Sequence, residues 1–428
     1  MRASKSLVIA GLCVALVGTA CGGSEKTSTV DPGPEPKQEA GVLGADVERV
    51  THTDVASADI DAYIQGQTAF ALDLYRTLAA QNSKNFAIGP ESLTTALAML
   101  MAGASGEGQQ EIAKALGVEN VLDRVPAVVN QIIRDLESRT GDGVTLDEAN
   151  RIYSDPQFVV KAAFVELLAK EFGAPMVQLD FANKPDDARK QINAWVAEQT
   201  RDKIPELFPE GSIDPSTVAT LVNAVYLKAT WKKAFDKART NDQEFTTADD
   251  TKVSVPMMHR DDVKAVFGEG YGAAELPYTG DKLSMIVIVP DDLAAFESSL
   301  DAATITALAG QLESAAPTDL ALPRFEVEGG GEMKDHLQAL GIKVVFGKNA
   351  LQNISDDPRI EVSTVQHQVY VKVDEEGTEA AAATGIGIRA TSLGPPGVIA
   401  DKPFVYLVRD KESGAILFLG RITNPLEK

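Results

Sequence analysis

The sequence predicts an α+β fold, and three observations carry that prediction. Helical periodicity dominates from Ser57 onward, and strand-like runs dominate after Val218. No regular strand–helix alternation occurs, which argues against a doubly wound parallel sheet. Nothing linker-like interrupts Ser57 to Lys428, so residues 57–428 are read as one domain, although 428 residues alone would suggest two or three.

The elements follow in order. Ile60, Ile64, Ala71, Leu74 and Leu78 mark one face of a first helix that ends near Gln81-Asn-Ser83. Asn85 to Pro90 reads as a short strand running into a turn. Glu91 to Met101 is a second helix, stopped by Gly103. Gln109 to Leu116 is a third, with Gly117 placed as its C-terminal cap. Further helices are expected over Val125–Leu136, Lys161–Phe172 and Asp186–Glu198, the last with acids favourably placed at its start. Leu146 to Tyr153 looks like a strand among them. Strands then follow at Val218–Leu227, Val253–Met258, Ala273–Leu276 and Leu283–Val289, interrupted by helical patches at Leu293–Leu308 and Glu332–Leu340. Val369–Val373 alternates apolar and polar, whereas Phe404–Val408 and Ala415–Leu419 are continuous apolar runs of buried-strand type.

Composition excludes several functions. A net charge of −22 argues against nucleic acid or a polyanion as partner. Two cysteines suggest neither a disulfide framework nor a metal site. There is no Gly-x-Ser-x-Gly elbow, His-Glu-x-x-His or phosphate loop, and Gly329-Gly-Gly331 lacks the strand-then-helix context and lysine of a phosphate site. His259, His336 and His367 form no evident nucleophile–base constellation, and His52 falls in an unpatterned stretch. Neither enzyme activity nor a cofactor is expected.

The informative stretch is Glu375 to Pro403, too long for an ordinary connection. From Thr378 to Thr384 every side chain except Glu379 is small, so nothing anchors the segment by burial. As a strand, it would place Thr378, Ala380, Ala382 and Thr384 on one face and Glu379, Ala381 and Ala383 on the other. The first face is small enough to slide beneath a sheet. On composition alone the same stretch reads as a flexible linker.

Glu375-Glu-Gly-Thr-Glu-Ala-Ala-Ala-Ala-Thr384 resembles the hinge of an inhibitory serpin reactive-centre loop. Asp401-Lys-Pro-Phe404 and Leu417 to Pro425 resemble the serpin C-terminal signature. Asn85 to Ala104 with Glu111-Ile112, and Leu221 to Trp231 with Phe235-Asp236, are similar to serpin segments in order and spacing. So are Pro256-Met-Met258, Glu275-Leu-Pro-Tyr278, Leu322-Pro-Arg-Phe325 and Leu340-Gly-Ile342. The resemblance implies a serpin fold: mixed sheets with a large central sheet A, about eight to nine helices, and an exposed C-terminal reactive-centre loop.

It also implies roles. Glu375, Gly377, Thr378, Ala380 and Ala382 match the loop hinge. Seventeen residues counted from Glu375 end at Thr391, which makes Thr391–Ser392 the implied reactive bond and favours elastase- or subtilisin-like targets. Arg389–Ala390 is the rival and would select trypsin-like enzymes. Ser92, Asn223 and His367 fall where serpins hold the central strands together, with Gly89 replacing a usual serine. Arg324 matches the partner of Glu375, and Trp231 the tryptophan at the top of the sheet. The implied partner is a serine protease trapped as a covalent acyl complex by a monomeric inhibitor, with cysteine proteases as a second class. The alternative is a non-inhibitory serpin acting as carrier or scaffold.

The N-terminus reads as an export signal. Arg2 and Lys5 precede an apolar run from Leu7 to Val17, too short to span a bilayer, and small residues lead to Cys21. The segment resembles a bacterial lipoprotein processing site, with Gly18 where leucine is preferred. Residues 1–20 are therefore expected to be removed and Cys21 lipidated, followed by a disordered Pro/Gly-rich tether through residue 56. The expected location is the bacterial cell envelope, by lipid anchor, or the extracellular space; simple secretion is the alternative.

Overall fold

Two sheets and nine helices make up the described part of the computed structural model, which covers residues 41–52, 54–141, 143–378 and 397–428. The helices are α1 (Ser57–Gln81), α2 (Pro90–Gly103), α3 (Gly106–Ala115), α4 (Val125–Glu137), α5 (Ala162–Leu167), α6 (Pro185–Gln199), α7 (Leu293–Ser299), α8 (Ala302–Glu313) and α9 (Lys334–Ala339). The strands, in chain order, are β1 (Val42–Leu43), β2 (Phe86–Ile88), β3 (Val144–Ser154), β4 (Met176–Gln178), β5 (Ala219–Thr230), β6 (Asn241–Thr246), β7 (Lys252–Gly268) and β8 (Tyr271–Pro277). They continue as β9 (Leu283–Pro290), β10 (Pro317–Pro323), β11 (Phe325–Glu332), β12 (Val362–Val373), β13 (Gly377–Thr378), β14 (Val398–Ile399), β15 (Phe404–Asp410) and β16 (Ile416–Ile422).

The first sheet runs β1-β4-β3-β5-β13-β12-β11, and the second β14-β10-β7-β8-β9-β15-β16-β2 with β6 paired to β7. At the heart of the first sheet β5 and β12 pair in parallel, from Val362 opposite Ala219 to Tyr370 opposite Tyr226. Beyond Tyr370 they part, and β13 lies between them, antiparallel to both. That change of neighbour organises the rest of the molecule.

Helix α2 is buried along nearly its whole length, its apolar residues in the core and its polar first turn, Glu91 to Thr95, hydrogen-bonded. Pro90 starts it, where the missing N–H costs nothing. Just before it, β2 crosses β11 so closely that a Cβ on Gly329 would sit 2.3 Å from the Ala87 carbonyl oxygen. The triple glycine is thus a backbone crossing within a strand.

Several expectations change. The patch from Leu293 to Leu308 is two helices, because Asp292 caps α7 at Ala295 N–H and Asp301 caps α8 at Thr304 N–H. The helix expected over Lys161–Phe172 ends in a π-helical turn, Leu168–Phe172, before left-handed Gly173. The strand expected to stop at Met258 continues to Gly268, with Asp262 in a left-handed conformation. The polar stretch read as a tether through residue 56 packs from residue 41 onward: β1 extends the edge of the first sheet, Val50 N–H donates to Lys170 O, and His52 meets Glu171 at 2.7 Å. Backbone pairing holds this stretch, and hydrophobic periodicity does not report backbone pairing.

Candidate functional site

The site is the top of the first sheet, where the chain leaves β12 and enters the Glu375 stretch. Trp231, at the end of β5, stacks on Tyr278 with centroids 4.5 Å apart and planes 12° from parallel. Its indole N–H donates to Asp374 O at 2.9 Å, and its backbone N–H to Glu376 O at 2.8 Å. Phe235 N–H donates to Glu375 O at 2.8 Å. The segment after β12 is therefore clasped by main-chain and indole bonds from one short stretch of chain.

Glu375 is buried and takes charge-assisted bonds from Arg324 Nε at 2.9 and 3.0 Å, with the Thr240 hydroxyl at 2.6 Å. Burial pushes its carboxyl up, but the bonds from Arg324 and Thr240 outweigh burial and hold it below the usual range. Glu376 is tied to Lys237.

Gly377 and Thr378 then enter the gap between β5 and β12. A Cβ on Gly377 would lie 2.0 Å from the Ala229 carbonyl oxygen, so only glycine fits there. Thr378 is fully buried opposite Ala229, and its Oγ1 lies 2.6 Å from the Tyr278 hydroxyl.

Lower in the sheet sits a polar cluster. Asn223 on β5 lies opposite His367 on β12 and opposite Asn150 on β3. Its amide donates to Ser92 Oγ at 2.6 Å and to Asn150 Oδ1, while Asn223 Oδ1 faces His367 Nδ1. Gly89 N–H, just before α2, donates to His367 Nε2 at 2.9 Å. Nε2 thus accepts, so Nδ1 carries the proton and donates to Asn223. The ring is neutral and fully buried, and burial pulls its pKa down to about 3. A Cβ on Gly89 would fall 2.6 Å from Val225 Cγ1, so Val225 fills the space a side chain would need.

The structure brings Ser92, Asn223 and His367 into one cluster, and Glu375, Gly377, Thr378, Arg324 and Trp231 into another. Ala380, Ala382, Arg389, Ala390, Thr391, Ser392 and Cys21 lie outside the described residues. Sequence reasoning missed Asn150 and the roles of Tyr278, Thr240 and Phe235, although Tyr278 and Phe235 stood within motifs already singled out. Among the described residues no group of three or more His, Cys, Asp or Glu side chains is placed to hold a metal ion.

Residues 65–425 match the family described as serpin (serine protease inhibitor). This chain belongs to the serpin family. The leukocyte elastase inhibitor of Sus scrofa is 35% identical over 375 residues, covering 84% of this chain and 98% of that protein. Among solved structures, the thermophilic serpin tengpin in its native state superposes with a TM-score of 0.79 at 23% identity, over 88% of this serpin and 97% of tengpin. Human thyroxine-binding globulin, complexed with thyroxine, gives 0.78 at 24%, over 86% and 100%. These two likenesses establish the fold. In serpin terms the first sheet is sheet A, and members of the family act on proteases rather than as catalysts themselves.

Proposed function

We propose that this serpin is an irreversible suicide-substrate inhibitor of serine proteases, with cysteine proteases as a second class, acting by cleavage of its reactive loop and insertion of that loop into sheet A. The observation that carries the reading is Gly377–Thr378 seated between β5 and β12, where the gap accepts only a small chain. Insertion of a cleaved loop as a new strand is the known behaviour of inhibitory serpins.

The protease nucleophile attacks the carbonyl of Thr391, and the Thr391–Ser392 bond breaks. The Ser392 amine leaves with a proton, and an ester to Thr391 remains. Residues after Thr378 then continue β13 downward. About 14 residues at roughly 3.3 Å each carry the protease on the order of 45 Å. The parallel ladder between β5 and β12 is given up, but the new strand pairs with both, so one ladder is exchanged for two. At about 1 kcal/mol net per bond the gain approaches roughly 10 kcal/mol, comparable with the whole stability of a domain. A displacement of about 1 Å in the protease's catalytic groups costs roughly 100-fold, so the ester persists.

The kinship with the leukocyte elastase inhibitor supports an elastase-like target here, as does small Thr391 preceded by Ala390. Arg389–Ala390 would instead trap trypsin-like enzymes. The N-terminal reading extends the proposal: export, removal of residues 1–20, and lipidation of Cys21 would hold a monomeric inhibitor at the bacterial envelope. Mass spectrometry of the mature N-terminus tests that part directly.

For the inhibitor itself, the protein is mixed with pancreatic elastase and separately with trypsin, and run on denaturing gels. A gel-stable complex with elastase, releasing a peptide that begins at Ser392, supports the mechanism and the bond. The same result with trypsin, beginning at Ala390, moves the bond to Arg389. Cleavage without any complex sinks the inhibitor reading and favours a carrier, a role within reach of a fold that also binds thyroxine in thyroxine-binding globulin.

A further inference from the structure

The stretch from residue 41 to 52 brings one charged side chain inward, Arg49. Its stem lies across Gly173, where a Cβ would come 3.3 Å from Arg49 Cδ and 3.4 Å from Nε. The left-handed glycine leaves the stem its room. From there Nη1 donates to Glu137 on α4 at 2.6 Å. Nε and Nη2 are buried and meet no partner among the described residues. These two nitrogens form the side-on edge of the guanidinium, whose parallel N–H bonds match the two oxygens of a carboxylate. A buried donor without an acceptor is costly, so this edge calls for one.

Arg49 borders a cavity of about 250 Å³ between α4, β3, the turn after Phe172 and the end of α6. Ile133, Leu136, Leu146 and Phe172 supply apolar wall. Three acids share the lining, and two of them are engaged. Glu137 holds Arg49 Nη1, and Asp147 is paired with Arg201 at 2.7 Å. The third is Glu148 on β3. Its Oε2 accepts from Asn150 at 3.4 Å, whereas its Oε1 is buried with no partner among the described residues. One cavity therefore carries an unpaired guanidinium edge and an unpaired carboxyl oxygen that do not meet each other, with apolar side chains beside them. At about 30 Å³ per water it has the bulk of about eight waters, or of one small organic molecule.

We propose that this cavity binds a small amino acid with an apolar side chain, its carboxylate on Arg49 and its ammonium on Glu148. A plain carboxylate would satisfy the guanidinium edge but would face the acids of the same lining. A plain amine would satisfy Glu148 and leave the edge unpaired. A zwitterion answers both, and its side chain takes the apolar wall. Burial pushes the Glu148 carboxyl well above its usual range, and nearby Glu91 and Glu137 push it further. A ligand ammonium acts the other way and favours the ionised form. The site goes beyond the loop-insertion reading and does not depend on it.

The test is ligand-observed saturation-transfer NMR on the full chain, titrated with L-leucine, 4-methylpentanoate and 3-methylbutylamine, each up to about 10 mM. The second probe is leucine without its amine, and the third is leucine without its carboxylate. Leucine should bind, and each half-molecule should bind at least about tenfold more weakly, because each forfeits a charge-assisted hydrogen bond. Arg49→Lys keeps a cation for Glu137 but has no side-on edge. Glu148→Gln keeps the shape and loses the charge. Each change should weaken leucine binding at least about tenfold, and thermal unfolding of the ligand-free variants checks that the fold is intact. If 4-methylpentanoate binds as well as leucine and Glu148→Gln changes nothing, the amino-acid assignment is overturned. If none of the three probes binds, water alone satisfies these atoms and the site itself is overturned. Both results leave the inhibitor reading untouched.

Discussion

The Thr378 hydroxyl lies 2.6 Å from that of Tyr278, both residues fully buried, with the Tyr278 ring stacked on Trp231. The first residue of the insertable stretch is thus already seated and hydrogen-bonded. Changing it to arginine would drive a long cation into the fully buried slot beside the Tyr278–Trp231 stack. Thr378→Arg should still be cut by the target protease but should turn over as a substrate. Stoichiometry of inhibition and a denaturing gel check this, and a stable complex from the variant would refute it.

His367 makes stability depend on pH. Unfolded histidine titrates near about 6.5, whereas the buried ring titrates at about 3. Between these values the unfolded chain holds the extra proton, so stability falls as pH drops through that window. The slope is at most about 1.4 kcal/mol per pH unit from this one group. His367→Gln offers Oε1 to Gly89 N–H and an amide to Asn223 without titrating. Urea unfolding at pH 4.5 and 7 should show a smaller loss for the variant than for wild type.

Arg324→Ala strips Glu375 of its charged partner and leaves a buried carboxylate held only by Thr240. Because the Arg324 side chain is 45% exposed, the cost should be about 1–2 kcal/mol rather than that of a fully buried pair. Glu375→Gln in the same chain should recover part of it. A double-mutant cycle in urea measures the coupling.

Gly89→Ser restores the serine usual in the family, yet here it should destabilise. Its Cβ would press on Val225 Cγ1, at a cost of about 1–3 kcal/mol. Val225→Ala in the same chain should relieve much of it, which thermal unfolding of the three variants would show.

How much of this was legible in the sequence depends on which physical signal each feature leaves. Apolar periodicity marked α1, and continuous apolar runs marked β15 and β16, because burial writes itself into composition. The Arg324–Glu375 and Ser92–Asn223–His367 groupings came from family spacing, since residues 51 and 144 positions apart leave no local trace of contact. Asn150 was passed over because a lone polar residue in a strand looks solvated until its neighbours are placed. Gly89 looked like a missing hydroxyl, whereas in the fold its own N–H supplies the bond to His367. Residues 41–52 looked like tether because their attachment is mainly by backbone and ion pairs.

Loop insertion is most directly measured by cutting the loop once and comparing thermal unfolding before and after. Elastase would be used at a limiting amount, with the cut site within 379–396 verified by mass. If the cleaved loop joins sheet A, the nicked protein should unfold tens of degrees above the intact one, since about 10 kcal/mol shifts a domain of this size by that order. An unchanged or lowered midpoint would mean that the cut loop stays outside the sheet, and loop insertion would have to be abandoned.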